Sequence, residues 1–196
     1  MRESPYSVSL SMGNSGKGIP YAGQPEPRAD GNQNHGFKNI KQDLSLLSAI
    51  PEIQNNPALY DLVSAINQPS TGLFSIGCIG DPIHDENGHR FTGYIEFAIN
   101  SVEGISDAGN YFPVFFHFDR MLKDARFEEA VAYHWLLEGA TFLDLPERPA
   151  GFTATIFINT HYLPTAEEAR DRWDQSLEAL TYFLGNQPLR EGPPLY

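Results

Sequence analysis

Residues 73–120 read LFSIGCIGDPIHDENGHRFTGYIEFAINSVEGISDAGNYFPVFFHFDR, and the strands within this stretch decide the fold. Asn87-Gly88 is the strongest local signal, because this pair accepts the positive φ angles of a two-residue hairpin turn. With those residues as the loop, Glu86 faces His89, His84 faces Phe91, Gly80 faces Ile95, Cys78 faces Phe97 and Ile76 faces Ile99. That set is largely apolar, whereas the alternate set (Asp85 with Arg90, Asp81 with Tyr94, Ile79 with Glu96, Ser75 with Asn100) is mixed. One face is therefore core and the other half-wet, as in an antiparallel sheet covered on one side. Pro82 cannot donate to a ladder, which puts the first strand at an edge. Residues 111–119 alternate in step and read as a third strand, with Val114, Phe116 and Phe118 on the apolar face and Phe115, His117 and Asp119 on the other.

Helical signals flank this meander. Ile40, Leu44, Leu47 and Ile50 recur at helical spacing until Pro51. Asn56 is a good N-cap and Pro57 a good first helical residue ahead of the stripe Leu59, Leu62, Val63 and Ile66. After residue 119 the sequence predicts a helix over 124–138, a short strand over 141–145 and a long strand over 152–162. The last helix opens on a capping box, Thr165 with Glu168, and buries Ala169, Trp173, Leu177, Leu180 and Leu184 before Gly185.

These elements define an α+β protein, a two-layer sandwich in which a mainly antiparallel sheet (a three-strand meander plus later strands) carries helices on one face. Residues 1–37 hold six Gly and four Pro and read as an extended or flexible arm; residues 38–196 read as one α+β domain. Within the arm, Gly13-Asn14-Ser15-Gly16-Lys17-Gly18 invites a phosphate-loop reading, but Ser11 replaces the first glycine, Gly18 replaces Ser/Thr, and Pro20 blocks a following helix. The order of elements over 57–184, with the acidic charge and modest size, resembles the small secretion-chaperone fold of type III systems. The resemblance rests on topology and alternation, and it assigns no functional residue.

The net charge of −12 is uneven: residues 1–41 hold five Lys or Arg against three acids, the remainder eight against twenty-two. So acidic a body repels nucleic-acid backbones and anionic lipid, which disfavours both as partners and favours basic proteins or peptides, although solubility alone accounts for such a charge. No run of about 18 apolar residues is present, and the N-terminus lacks the basic start and apolar core of a secretory signal. The single cysteine, Cys78, falls on the core face and reads as a buried structural thiol. The expected location is the cytoplasm.

Three groups carry potential chemistry. The polar tip Asp81, His84, Asp85, Glu86 and His89 offers metal ligands, but the expectation is that His84 and His89 lie on opposite faces. His134 reads as a structural histidine on a helix flank. The third group is the face away from the helices: Tyr94, Glu96, His117, Asp119, Asn159 and His161, flanked by Phe115 and Phe157. Two histidines and two carboxylates there would suit a general base or a metal, provided the strands are neighbours. Neither a nucleophile motif nor a cofactor motif is evident. The sequence thus favours a non-enzymatic, acidic interaction module of the chaperone, adaptor or immunity kind, binding a protein, a peptide or a second copy of itself. The alternative is a small-molecule- or metal-binding protein, a hydrolase among them, that uses the third group. The first requires a broad surface without a deep pocket, the second a concave site with converging titratable groups.

Overall fold

The computed structural model of the chain describes residues 5–26 and 33–196. Five strands, β1 (Ser7–Ile19), β2 (Leu73–Asp85), β3 (Gly88–Ile99), β4 (Val131–Phe142) and β5 (Ala150–Thr160), form one sheet in the order β1-β4-β5-β3-β2. Among the described residues only β1 and β4 form a parallel pair. The helices are α1 (Pro51–Gln54), α2 (Pro57–Ile66), α3 (Val102–Ile105), α4 (Phe112–Asp124) and α5 (Ala166–Gly185). The fold is α+β, and the three longer helices, α2, α4 and α5, bury their apolar sides on one sheet face.

Two elements exchange type relative to the sequence reading. The expected third strand is helix α4, because its buried residues Val114, Phe115, Phe118 and Leu122 follow a helical stripe while Phe116 is 61% exposed. Pro113 sits in its first turn, where the missing N–H costs nothing. The expected helix over 124–138 is mostly strand β4, in which buried Val131, Tyr133, Trp135 and Leu137 alternate with Ala132, His134, Leu136 and Glu138. Thr141 and Phe142 continue this strand, and the chain turns after them. Between α2 and α5 the order is therefore two strands, the helices α3 and α4, and two strands, which differs from the order on which the secretion-chaperone resemblance rests.

The hairpin turn shifts by one residue. Its loop is Glu86-Asn87, with Asp85 paired to Gly88 and His84 to His89. The Asp85 carboxylate accepts the Asn87 N–H at 2.8 Å, and Gly88 takes φ +117° while Leu163 O lies 2.6 Å from where its Cβ would be. Each residue from Cys78 to Asp85 pairs two places nearer the turn than expected; Cys78 meets Ile95. A shift of two preserves the faces, so Cys78 still packs toward the helices. An irregularity between Ser75 and Gly77 then reverses the faces, and Ile76 joins Phe74 on the opposite side. β2 is an edge strand, as Pro82 requires.

Over residues 39–50 the expected helix is reduced to a 3-10 turn, Leu44–Ala49, and Pro51 begins α1 rather than ending a helix. α2 and α5 form as the sequence dictates, with the Asn56 cap and the Thr165–Glu168 capping box in place. Much of the arm also folds: Ser7–Ile19 is β1, while residues 1–4 and 27–32 lie outside the described residues. The second sheet face is covered only in part, by a cluster of Ile19, Phe74, Ile76, Ile105, Phe142 and Leu195. The C-terminus closes that cluster, Leu195 N and Tyr196 N both donating to Asn100 Oδ1.

A close contact ties α5 to the β2–β3 hairpin. Gly80 and Gly93 face each other across β2 and β3, and a Cβ on either would come within 2.7 Å of the Trp173 ring. Trp173 is fully buried in this slot, stacked on Phe91 at 5.5 Å, and its Nε1 donates to Asn56 Oδ1 at 3.3 Å. Gly93→Ala should therefore lower unfolding free energy by about 1–3 kcal/mol through overpacking, and Trp173→Ala by about 3–5 kcal/mol. Urea unfolding followed by far-ultraviolet circular dichroism measures both, and a wild-type midpoint for Gly93→Ala would show that the slot is not tight.

Candidate ligand-binding cleft

The sheet face away from the long helices presents side chains in rungs that cross all five strands. One rung is Ile79–Tyr94–Phe157–His134–Ser9, and the next is Gly77–Glu96–Thr155–Leu136–Ser11. In the first, the Tyr94 and Phe157 rings lie 6.1 Å apart and Phe157 stacks on His134 at 6.2 Å. Both His134 nitrogens are engaged, Nδ1 with Ser9 Oγ at 2.8 Å and Nε2 with Ser11 Oγ at 2.9 Å. Here His134 tethers an edge strand instead of flanking a helix.

The structure divides the third sequence-predicted group. Tyr94, Glu96, Phe157 and Asn159 share this face, Asn159 Oδ1 accepting from Thr92 Oγ1 at 2.6 Å. Phe115 is buried in the main core, 5.7 Å from Trp135, on the opposite side of the sheet. On α4 His117 is exposed and Asp119 half-buried, paired with Lys123 at 2.5 Å, and His161 is exposed beyond the end of β5. The two histidines do not join Glu96, and among the described residues no group of three His, Cys, Asp or Glu is placed to hold a metal ion. At the hairpin tip His84 and His89 do not lie on opposite faces; they pair and stack with ring centroids 4.1 Å apart.

Three residues missed by the sequence reading complete the face. Lys17 Nζ lies 2.6 Å from Glu96 Oε1 and 3.2 Å from Glu138 Oε2. Ser15 Oγ donates to the other Glu138 oxygen. The Ser15 hydrogen bond and the Lys17 ammonium hold the Glu138 carboxyl below its ordinary range. Lys17 belongs to the rejected phosphate-loop motif, and its β1 register slips between Met12 and Gly16.

Beside Glu96 the surface opens into a cleft of about 500 Å³ between the β2 edge and residues 33–52. Ile40, Ile50, Ile76 and Ile79 supply apolar wall, and Lys17, Tyr21, Glu52, Asp81, Tyr94 and Glu96 supply polar groups. Tyr21 donates to Ile76 O at 2.9 Å, and burial, more than its acidic neighbours, pushes its phenol up. A Cβ on Gly77 would stand 3.0 Å from the Tyr21 oxygen and 3.7 Å from that of Tyr94, so two phenols converge over this glycine. Cys78 also lines the cleft, but burial pushes its thiol up to about 12, which withholds the thiolate at neutral pH.

No protein-family description, no curated protein and no solved structure matches the chain. Among the described residues no helix is long and apolar enough to cross a membrane.

Lys17→Met leaves Glu96, only 9% exposed, beside Glu138 without a cation. The expected loss at pH 7 is about 1–3 kcal/mol, below that of a fully buried pair because Lys17 and Glu138 reach water. A depressed Glu138 contributes stability above the ordinary carboxylate range and loses it as pH falls through its lowered value. The gap between wild type and variant should therefore shrink near pH 4, read by urea unfolding at both pH values, and Lys17→Arg should retain most of the stability. An equal gap at both pH values would show that charge is not the cause.

Proposed function

We propose that this protein binds a small molecule in the cleft between the β2 edge and residues 33–52. The observation that carries this reading is the cleft itself: a concavity of about 500 Å³ with apolar walls and a few convergent polar groups, the usual form of a ligand site. Binding rather than catalysis is favoured because the groups present are committed to one another: Lys17 to two carboxylates, Tyr21 to a carbonyl, Cys78 to its protonated form. Gly77→Leu tests the reading, since a side chain there enters between the two phenol oxygens. In a fragment screen read by amide shifts, bound fragments should move Gly77, Cys78 and Tyr94 in the wild type and leave them unmoved in a folded Gly77→Leu protein. Fragments that shift only other regions, or that shift the variant equally, would overturn it.

A second reading, an interaction module of the chaperone, adaptor or immunity kind for a basic protein partner, draws on the exposed side of α4. Phe112 and Phe116 lie one turn apart there, with Phe116 61% exposed. The expected anchor Phe115 is in the core, so Phe116 takes that role in this reading.

A further inference from the structure

We propose that the cleft takes an organic cation, a primary ammonium or guanidinium carried on a small apolar or aromatic body; this rests on the ligand-binding reading above. The cleft holds three carboxylates, Glu52, Asp81 and Glu96, against two ammonium groups, Lys17 and Lys38. Lys17 is shared with a fourth carboxylate, Glu138, just outside the lining. Lys38 Nζ is held by the His35 carbonyl at 2.8 Å. Among the described residues the Asp81 carboxylate has no hydrogen-bond or ion-pair partner. Among the described residues the ionisable partner of Glu52 within 4.0 Å is His35, which pairs with it only when protonated. Glu96 is nine-tenths buried, and its Oε1 accepts no well-formed hydrogen bond although the Lys17 ammonium lies 2.6 Å away.

Two acids in the cleft register the resulting field. Burial raises the Tyr21 phenol most, with Tyr94, Glu96, Cys78 and Glu52 adding to it in that order, and Glu52 adds to the effect of burial on the Cys78 thiol. An anionic ligand entering here would meet Asp81 and Glu52, with which no Lys or Arg among the described residues pairs, and a neutral one would leave them so; a cation satisfies them by charge-assisted hydrogen bonds. The Tyr21 and Tyr94 rings add faces on which a cation is attracted, and Ile76 and Ile79 offer surface for its apolar body.

Calorimetric titration with 2-phenylethylammonium, 2-phenylethanol and 3-phenylpropanoate separates the charge states at nearly constant shape. The ammonium should bind at least about tenfold tighter than the alcohol, the scale of one charge-assisted hydrogen bond, and the propanoate should not bind. Glu52→Gln with Asp81→Asn should reduce the ammonium to the alcohol's affinity. Asp174→Asn, in the separate acidic hollow between α2 and α5, should leave it unchanged. An ammonium affinity unmoved by the double substitution would overturn the proposal, assigning binding to general attraction by an acidic surface. Should uncharged fragments or the propanoate occupy the cleft while the ammonium does not, the cation assignment falls and the ligand-binding reading stands. Should nothing enter the cleft, both fall.

Discussion

Trp173 can sit on the sheet only because Gly80 and Gly93 face each other beneath it. The largest apolar group of α5 is thereby set directly on backbone, with Phe91 stacked against it and Arg170 lying 4.5 Å over the Phe91 ring. Asn56 serves both helices at once, capping α2 through the Leu59 N–H and accepting from the indole. The position of α2 and α5 relative to the β2–β3 hairpin is thus one linked decision. The segment that precedes α2 walls the cleft, so the seat of one tryptophan also bears on where that wall stands.

Legibility in the sequence followed the strength of local signals. α2 and α5 were readable because cap, proline and apolar stripe agreed. The faces of β3, and of β2 from Cys78 onward, were readable because a shift of two in register leaves period two intact, whereas Ile76 lies beyond an irregularity that reverses them. α4 and β4 were exchanged for one another. Val114 to Phe118 contains four apolar residues in five, which fits either period, and only the exposure of Phe116 separates them. Residues 131–138 alternate cleanly, but Asp124, Glu128 and Glu129 imitate a helix start just before.

The site was half legible. Tyr94, Glu96, Phe157 and Asn159 were placed on one face by alternation alone. Lys17 and Ser15 were not, since they lie on β1, whose Gly-rich second half resembles a linker, and His134 was not, since β4 reads as part of a helix. A signal for β1 exists in Ser7-Val8-Ser9-Leu10-Ser11-Met12, a strict period-two run that puts serines toward His134. The cleft had no local signal, because it joins residues 17–21, 33–52, 75–81 and 94–96, distant in sequence and united only by the sheet order.

The parallel pairing of β1 with β4 has a kinetic consequence. The β2–β3 and β4–β5 hairpins each close over a short loop, whereas Ser9 and His134 are 125 residues apart. The entropy of closing so long a loop delays contact until β4 exists, so β1 docks onto a sheet already assembled. On the open face its side-chain links are polar, two serines about an imidazole and one lysine between two carboxylates, while Val8 and Leu10 pack against the main core and Ile19 is buried in the second cluster. As an edge strand it has one ladder to give up, that with β4, when it opens. When it lifts it withdraws Lys17 from Glu96, so the same fluctuation that frees the edge of the sheet also bares the carboxylate beside the cleft.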